Sequence, residues 1–439
     1  MRLNGGHHDV VVVGGGQAGL AMSHRLCARG IGHVVLERER VGFAWREQRW
    51  DTFCLVTPNW QCDLPGFPYT GPDPDGFMLR DDVVGYLERY AASFDPPLVE
   101  GVAATRLRAA GRAFELTTTA GTLTADQVVL ATGPYQVPNL PRAAERLPAD
   151  VVQIHSVAYR NPQQLPDGAV LVVGTGQSGC QIAEDLHLAG RQVHLAVGGA
   201  PRVARRYRGR DVVDWLDEMG YYATPIDGFA DADAVRFRAN HYVTGRDGGH
   251  DIDLRAFARE GMVLHGRLTE IDGGRIGFAD DLAANLDAAD RVSEGIKDSI
   301  DAHIAARGID APAEPRYQPV WSPGAQPGEL DLREAGISAV VWSTGFGRDH
   351  RWIELPIFDG RGYPTHRRGV ASVAGIYLLG LPWQHTWGSG RFCGVGADAE
   401  YLAERIARHR AGGLEVSWLS GSTADTFPTD GWQPTRTVA

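Results

Sequence analysis

The 439-residue sequence predicts an α/β protein with two Rossmann-like dinucleotide-binding domains, the second inserted in a discontinuous first. Three observations carry that expectation. An apolar run opens into GxGxxG at Val10–Gly19. The pattern recurs at Ala169–Gly179, and two further apolar runs, each closing on Thr-Gly, flank the second copy.

In the first copy, Val10-Val11-Val12-Val13 has the continuous apolarity of a strand buried on both faces. It leads into Gly14-Gly15-Gly16-Gln17-Ala18-Gly19, a helical stretch to Arg29, and a second strand, His33–Leu36, ending in Glu37. Gly14 makes the tight turn, Gly16 lets a pyrophosphate reach the backbone, and Gly19 permits close helix–strand packing. The helix N-terminus offers N–H groups and a positive dipole end, and Glu37 offers a carboxylate to adenosine ribose hydroxyls.

In the second copy, Val170-Leu171-Val172-Val173 leads into Gly174-Thr175-Gly176-Gln177-Ser178-Gly179 and a helix to Leu188. The next strand, Gln192–Val197, ends without an acid. It runs instead toward Arg202, Arg205, Arg206, Arg208 and Arg210. A carboxylate there would repel a 2′-phosphate, whereas guanidinium groups bind one bidentately. The first site is therefore expected to take FAD or NAD and the second NADPH, with Arg202 and Arg205 as phosphate ligands.

The runs ending in Thr132-Gly133 and Thr344-Gly345 mark where the chain turns beside a cofactor and crosses between domains. The expected organisation is an FAD-binding domain over 1–150 and 335–412, an NADPH-binding domain over 151–334, and a tail over 413–439. Within the inserted domain, about 280–310 predicts one amphipathic helix, with Leu282, Leu286, Ala289, Val292, Ile296, Ile300 and Ile304 on its apolar stripe. Three roles are open to it: packing on the NADPH domain, a lid over the site, or a homodimer contact. The Pro- and Gly-rich stretch Ala311–Glu329 predicts a loop.

Apolar residues make up 43% and charged residues 22% of the chain, as in ordinary folded proteins. A net charge of -11 argues against a nucleic-acid partner. No apolar run approaches membrane-spanning length, and the first strand begins too early for a secretory signal, so a cytoplasmic protein is expected. The five cysteines (27, 54, 62, 180 and 393) are scattered, without CxxC spacing, which suits a reducing compartment. The same spacing argues against disulfide reductases, which need an adjacent resolving thiol. The histidines lack ligand spacing, so no metal site is expected.

Together these residues resemble the flavin-containing monooxygenase superfamily (class B flavoprotein monooxygenases), in the manner of its YUCCA-like and bacterial FAD-NAD(P)-binding oxidoreductase members. The resemblance covers about residues 8–412. Beyond the glycine loops it rests on Gly42-Phe43-Ala44-Trp45-Arg46 with Trp50-Asp51, and on Thr57-Pro58 with Leu64-Pro65-Gly66-Phe67-Pro68. It rests too on His155-Ser156 with Tyr159-Arg160-Asn161-Pro162, and on Gly375–Leu381 followed by Gly394-Val395-Gly396-Ala397-Asp398-Ala399. Tyr159 stands where Baeyer–Villiger members have Trp, which argues against ester-forming oxygenation. Thr57-Pro58 stands where animal-type members have Thr-Asn.

The resemblance implies an enzyme using NADPH and O2 to oxygenate a small molecule through a C4a-(hydro)peroxyflavin, by N- or S-oxygenation or oxidative decarboxylation. The alternative is an NADPH oxidase or a reductase passing electrons to a protein partner. Expected FAD contacts are Gly14, Gly16, Gln17, Ala18, Gly19, Glu37, Arg38, Trp45, Arg46, Thr57, Thr132, Gly133, Gly380 and Gly396. Expected NADPH contacts are Ser156, Gly174, Gly176, Gln177, Ser178, Gly179, Arg202, Arg205, Thr344 and Gly345. Candidate catalytic groups are Asn59, Gln61, His385 and Arg391. The last two belong to Leu381–Phe392, whose aromatics could line a substrate pocket with Trp60 or simply pack the core.

Overall fold

The computed structural model describes residues 4–325 and 327–412, so the expected tail at 413–439 lies outside the described residues. The N-terminal part supplies β1 (His7–Val13), α1 (Gln17–Cys27), β2 (His33–Leu36), α2 (Arg80–Phe94), β3 (Leu98–Val99), β4 (Ala104–Ala110), β5 (Ala113–Thr118) and β6 (Gly121–Leu130). β1 lies between β2 and β6, parallel to both, with Val11 opposite Val34 and Val128. Val10, Val11 and Val12 are fully buried, which explains why the run carries no polar alternation.

The second unit supplies β7 (Val152–His155), β8 (Ala169–Val173), α3 (Gln177–Leu188), β9 (Val193–Ala196) and β10 (Val263–His265). It continues with β11 (Leu268–Asp272), β12 (Arg275–Phe278), α4 (Leu282–Arg307), β13 (Glu329–Asp331) and β14 (Ile337–Trp342). The order β7-β14-β8-β9-β10 forms an all-parallel sheet, and β11-β12-β13 form a three-stranded antiparallel sheet. The chain then returns to the first sheet with β15 (Ile376–Leu378), parallel to the end of β6, and closes with α5 (Val395–Arg410). Leu20, Met22 and Leu26 of α1 share one apolar cluster with Ala399, Leu402 and Ile406 of α5, so these two helices pack together.

The chain crosses between the two sheets twice. β14 lies between β7 and β8, with Trp342 opposite His155 and Val173, so the second sheet extends to residue 342. On the other side, Ala144, Leu147 and Val151 join the core of the second sheet. α4 packs inward. Its second half, Ile296, Ile300 and Ile304, forms a buried cluster with Tyr207 and Trp215, while Leu282, Leu286 and Ala289 join the main core. No helix among the described residues is long and apolar enough to cross a membrane.

Candidate functional site

The two glycine loops are built alike, hydrogen bond for hydrogen bond. Gly14 N–H donates to Leu36 O and Ala131 N–H to Val13 O, both at 2.8 Å. In the second unit, Gly174 N–H donates to Ala196 O at 3.1 Å and Ser343 N–H to Val173 O at 2.9 Å. Each loop therefore abuts the residue preceding a Thr-Gly pair.

The glycines divide into two kinds. A Cβ on Gly19 would stand 1.8 Å from Gly14 O, and one on Gly179 1.9 Å from Gly174 O, so the chain itself excludes a side chain there. At Gly16, Gly133, Gly176 and Gly345 nothing lies within 4 Å of the Cβ position. These four line space that a ligand can approach. Gly16 and Gly176 are also the N-caps of α1 and α3, and neither helix has a side-chain cap, so the first N–H groups of both helices point out unclaimed by a side chain. The cradles fit a dinucleotide pyrophosphate.

Around the first loop, Glu37 accepts from Gly15 N–H at 2.6 Å and Glu39 N–H at 2.9 Å, fixing the carboxylate beside the turn. Gln17 donates to Gly390 O at 3.2 Å, tying α1 to the aromatic loop. Gly380, at φ +88°, brings that loop against Ala18, whose Cβ is 2.8 Å from the Cβ position. Gly396 faces Pro65 in the same way at 3.2 Å. Trp45 stacks near Phe392 at 5.7 Å, and Thr57 is half-buried. Arg46 turns to Glu88 on α2 at 2.5 Å, and Arg38 is exposed beside Glu39.

The crossing joins the two units. His155 Nε2 bonds Gly345 O at 3.0 Å, Asn139 N–H donates to the same oxygen at 3.0 Å, and the Thr344 hydroxyl donates to Asn139 O. Thr132 Oγ1 accepts from Gln136 at 3.1 Å, and Ser156 is buried beside His155. Two segments quoted from the sequence prove to interlock: Asp51 N–H donates to Arg160 O at 2.8 Å, and Asn161 donates to the Asp51 carboxylate at 2.7 Å. On the second loop, Gln177 pairs through its amide with the backbone of Val243, and Ser178 is half-buried.

Three of the expected site residues are held by internal partners. Arg202 is 3% exposed, ion-paired to Asp290 at 2.6 Å and laid over the Tyr317 ring. Arg205 is 2% exposed, paired to Asp211 at 2.5 Å, and donates to Val56 O at 2.7 Å. Each pairs with an internal carboxylate, which compensates the buried guanidinium. Asn59 accepts from Met78 N–H at 2.6 Å and donates to Asp73 O at 3.0 Å, so it braces the 73–78 loop.

Gln61 is buried and its Oε1 has no partner. His385 is held near neutral form by burial and by Arg368, its pKa pushed down to about 4. Arg391 lies over the Trp387 ring at 3.8 Å and donates to Asn240 Oδ1 at 2.8 Å. Sequence reasoning missed the 221–241 segment that covers this loop. Tyr222 meets Trp387 at 4.4 Å, Phe229 meets Trp383 at 5.4 Å, and Ile226 N–H donates to His385 O at 2.6 Å. Only the adjacent Tyr221-Tyr222 pair hinted at it. Trp60 donates to Asp214 at 3.1 Å, another link across the units.

A mixed sheet and an all-parallel sheet with matched glycine loops, joined at a hydrogen-bonded crossing, define a protein with two dinucleotide cradles. Residues 11–218 match the family described as pyridine nucleotide-disulphide oxidoreductase. An uncharacterized CzcO-like oxidoreductase of Geobacillus kaustophilus is 34% identical over 405 residues, spanning 91% of this chain and 99% of that protein. The indole-3-pyruvate monooxygenase YUCCA1 of Oryza sativa is 28% identical, spanning 76% and 83%. The solved flavin-containing monooxygenase of Stenotrophomonas maltophilia shares the fold with a TM-score of 0.64 at 19% identity, covering 92% of this chain and 99% of that one. The chain belongs to the CzcO-like oxidoreductases.

Proposed function

We propose that this protein is an NADPH- and O2-dependent flavin monooxygenase acting on a small molecule, by N- or S-oxygenation or oxidative decarboxylation. The observation that carries the reading is the matched pair of loops, each with one glycine whose side-chain position is open to a ligand. We assign FAD to the loop of Gly14, Gly16 and Gly19, and NADPH to that of Gly174, Gly176 and Gly179. The corresponding units are residues up to Gly133 with 346–412, and the segment between.

Bound there, FAD supplies hydride acceptance from NADPH and electron delivery to oxygen. The chain supplies the rest. The N-termini of α1 and α3 hold the two pyrophosphates, and Glu37 stands at the end of β2 for the ribose. Trp383, Trp387, Tyr222 and Phe229 exclude water above the Gly380–Gly394 loop. His385, neutral at physiological pH, can accept a hydrogen bond or proton but does not arrive charged. The cysteines support the assignment. Burial pushes the Cys62 thiol up to about 12, with Cys393 adding to the rise, and pushes Cys393 up to about 11, so neither is a thiolate ready to reduce a disulfide.

The test is NADPH oxidation by the FAD-loaded protein under 18O2 with thioanisole, a tertiary amine and an aromatic 2-oxo acid. The last is included because the rice relative is named for such a substrate. Label in one organic product supports the reading. Stoichiometric hydrogen peroxide with every compound sinks it.

A further inference from the structure

The loop Gly380–Gly394 leaves β15, passes the N-terminus of α1 and returns to the start of α5 in a constrained path. Trp383, which carries a Cβ, sits at φ +52°. Gly390, at φ +79°, passes so near Gly380 that a Cβ would stand 2.6 Å from its carbonyl oxygen. Such backbone persists only where its surroundings fix it.

One side chain does most of the fixing. Ser389 Oγ accepts the N–H groups of His385 at 3.0 Å and Thr386 at 3.1 Å, and donates to Asp398 Oδ2 at 2.5 Å. Asp398 lies in the first turn of α5 and is 2% exposed. Its other oxygen is 3.7 Å from Arg368 Nε, and that guanidinium lies over the Tyr401 ring of α5. The outer end of the loop is fastened to α1 by the Gln17 contact to Gly390.

We propose that Asp398 is a positioning residue of the active site, whose ionised form holds the Gly380–Gly394 loop, with His385 and Arg391 on it, in working shape. This rests on reading the first glycine loop as the flavin site. As a carboxylate, Asp398 draws the Ser389 hydroxyl proton and leaves both serine lone pairs to the two N–H groups. Protonation weakens that pull and leaves Arg368 without a carboxylate, so more of its charge falls on His385. The groups facing Asp398 are Ser389 on the loop and Arg368 before β15, with Tyr401 behind the arginine and His385 beyond the serine. Burial pushes the Asp398 carboxyl up to about 6, so the change falls within reach of ordinary assays.

Two measurements on the full chain test this. Hydrogen exchange at the His385 and Thr386 amides, corrected for intrinsic pH dependence, needs no cofactor. Protection is expected to fall at least tenfold as the pH drops through the Asp398 titration, and to stay low at all pH values in Asp398→Asn. With FAD bound, the flavin spectrum and the anaerobic rate of reduction by NADPH should show an acid limb of the same pKa. Asp398→Asn should remove that limb and hold the rate near the wild-type acid value. Ser389→Ala keeps the carboxylate and should lose the same amide protection. An unchanged limb in Asp398→Asn, or full amide protection in either variant, overturns the proposal. Failure of FAD to bind while the amides respond as expected counts against the flavin reading alone.

Discussion

The carbonyl oxygen of Ala131 stands 2.3 Å from the position a Cβ on Gly14 would take, and that of Ser343 stands 2.7 Å from the same point on Gly174. In both loops the first glycine is demanded by the neighbouring strand, at φ +110° and +102°, before any ligand is considered.

A contrast within one loop follows. Gly174→Ala should destabilise the fold by about 1–3 kcal/mol, because backbone must move to admit the methyl. Gly176→Ala meets nothing within 4 Å and should leave the denaturation midpoint in place. Its methyl instead occupies the cradle, and the KM for NADPH should rise at least tenfold. Urea melts and steady-state kinetics on the two variants separate these outcomes. Equal stability losses would show that the second loop is not built for a ligand.

Arg202 and Arg205 should behave as structural cations. Removing one partner of a buried ion pair costs about 3–5 kcal/mol, since the remaining carboxylate is left uncompensated. Arg205→Met, facing Asp211, and Arg202→Met, facing Asp290, should therefore lower the urea midpoint sharply. The ratio of kcat/KM for NADPH over NADH should stay within about threefold of wild type, against the roughly hundredfold change expected on losing a bidentate phosphate contact. A collapse of that ratio without loss of stability would restore both arginines to the cofactor.

These arginines mark where sequence ceases to inform. The glycine loops were legible because their causes are local: a turn, a helix start and a close approach, all within about ten residues. The Trp50-Asp51 and Arg160-Asn161 segments were legible by resemblance, although only the fold reveals that they bond each other. Which arginine is neutralised depends on Asp290, 88 residues beyond Arg202. Sequence charge alone cannot say whether such a partner exists. β14 is equally apolar whichever sheet takes it, so its placement beside β7 and β8 waited on topology. The aromatic cover at Tyr222 and Phe229 lies on irregular segments that carry no period to detect.

Asn59 provides a quieter check. Its amide satisfies Met78 N–H and Asp73 O, and replacing it leaves a buried backbone donor unpaired. Asn59→Ala should cost about 1–3 kcal/mol by denaturant titration. The rate of flavin reduction by NADPH at saturating cofactor should hold within about twofold. A selective loss of that rate with unchanged stability would place the asparagine at the flavin after all.

Asp398 ties stability to pH in a direction opposite to most carboxylates. Its folded pKa of about 6 lies above the unfolded value, so between the two the folded chain holds a proton that the unfolded chain has released. Stability from this group is therefore greatest below the unfolded pKa and is lost as pH rises through the window toward 6, then stays flat. Asn at this position has no proton to lose. Relative to Asp398→Asn, the wild-type unfolding free energy should fall by about 1–2 kcal/mol between about pH 5 and pH 8, as urea melts at the two pH values would record. The reverse trend would mean that Ser389 and Arg368 more than offset the burial and that the carboxylate stabilises the fold. If the fall is found, the ionised form costs stability over the range where the loop is proposed to need it, and the charge is kept for what it holds in place rather than for the fold.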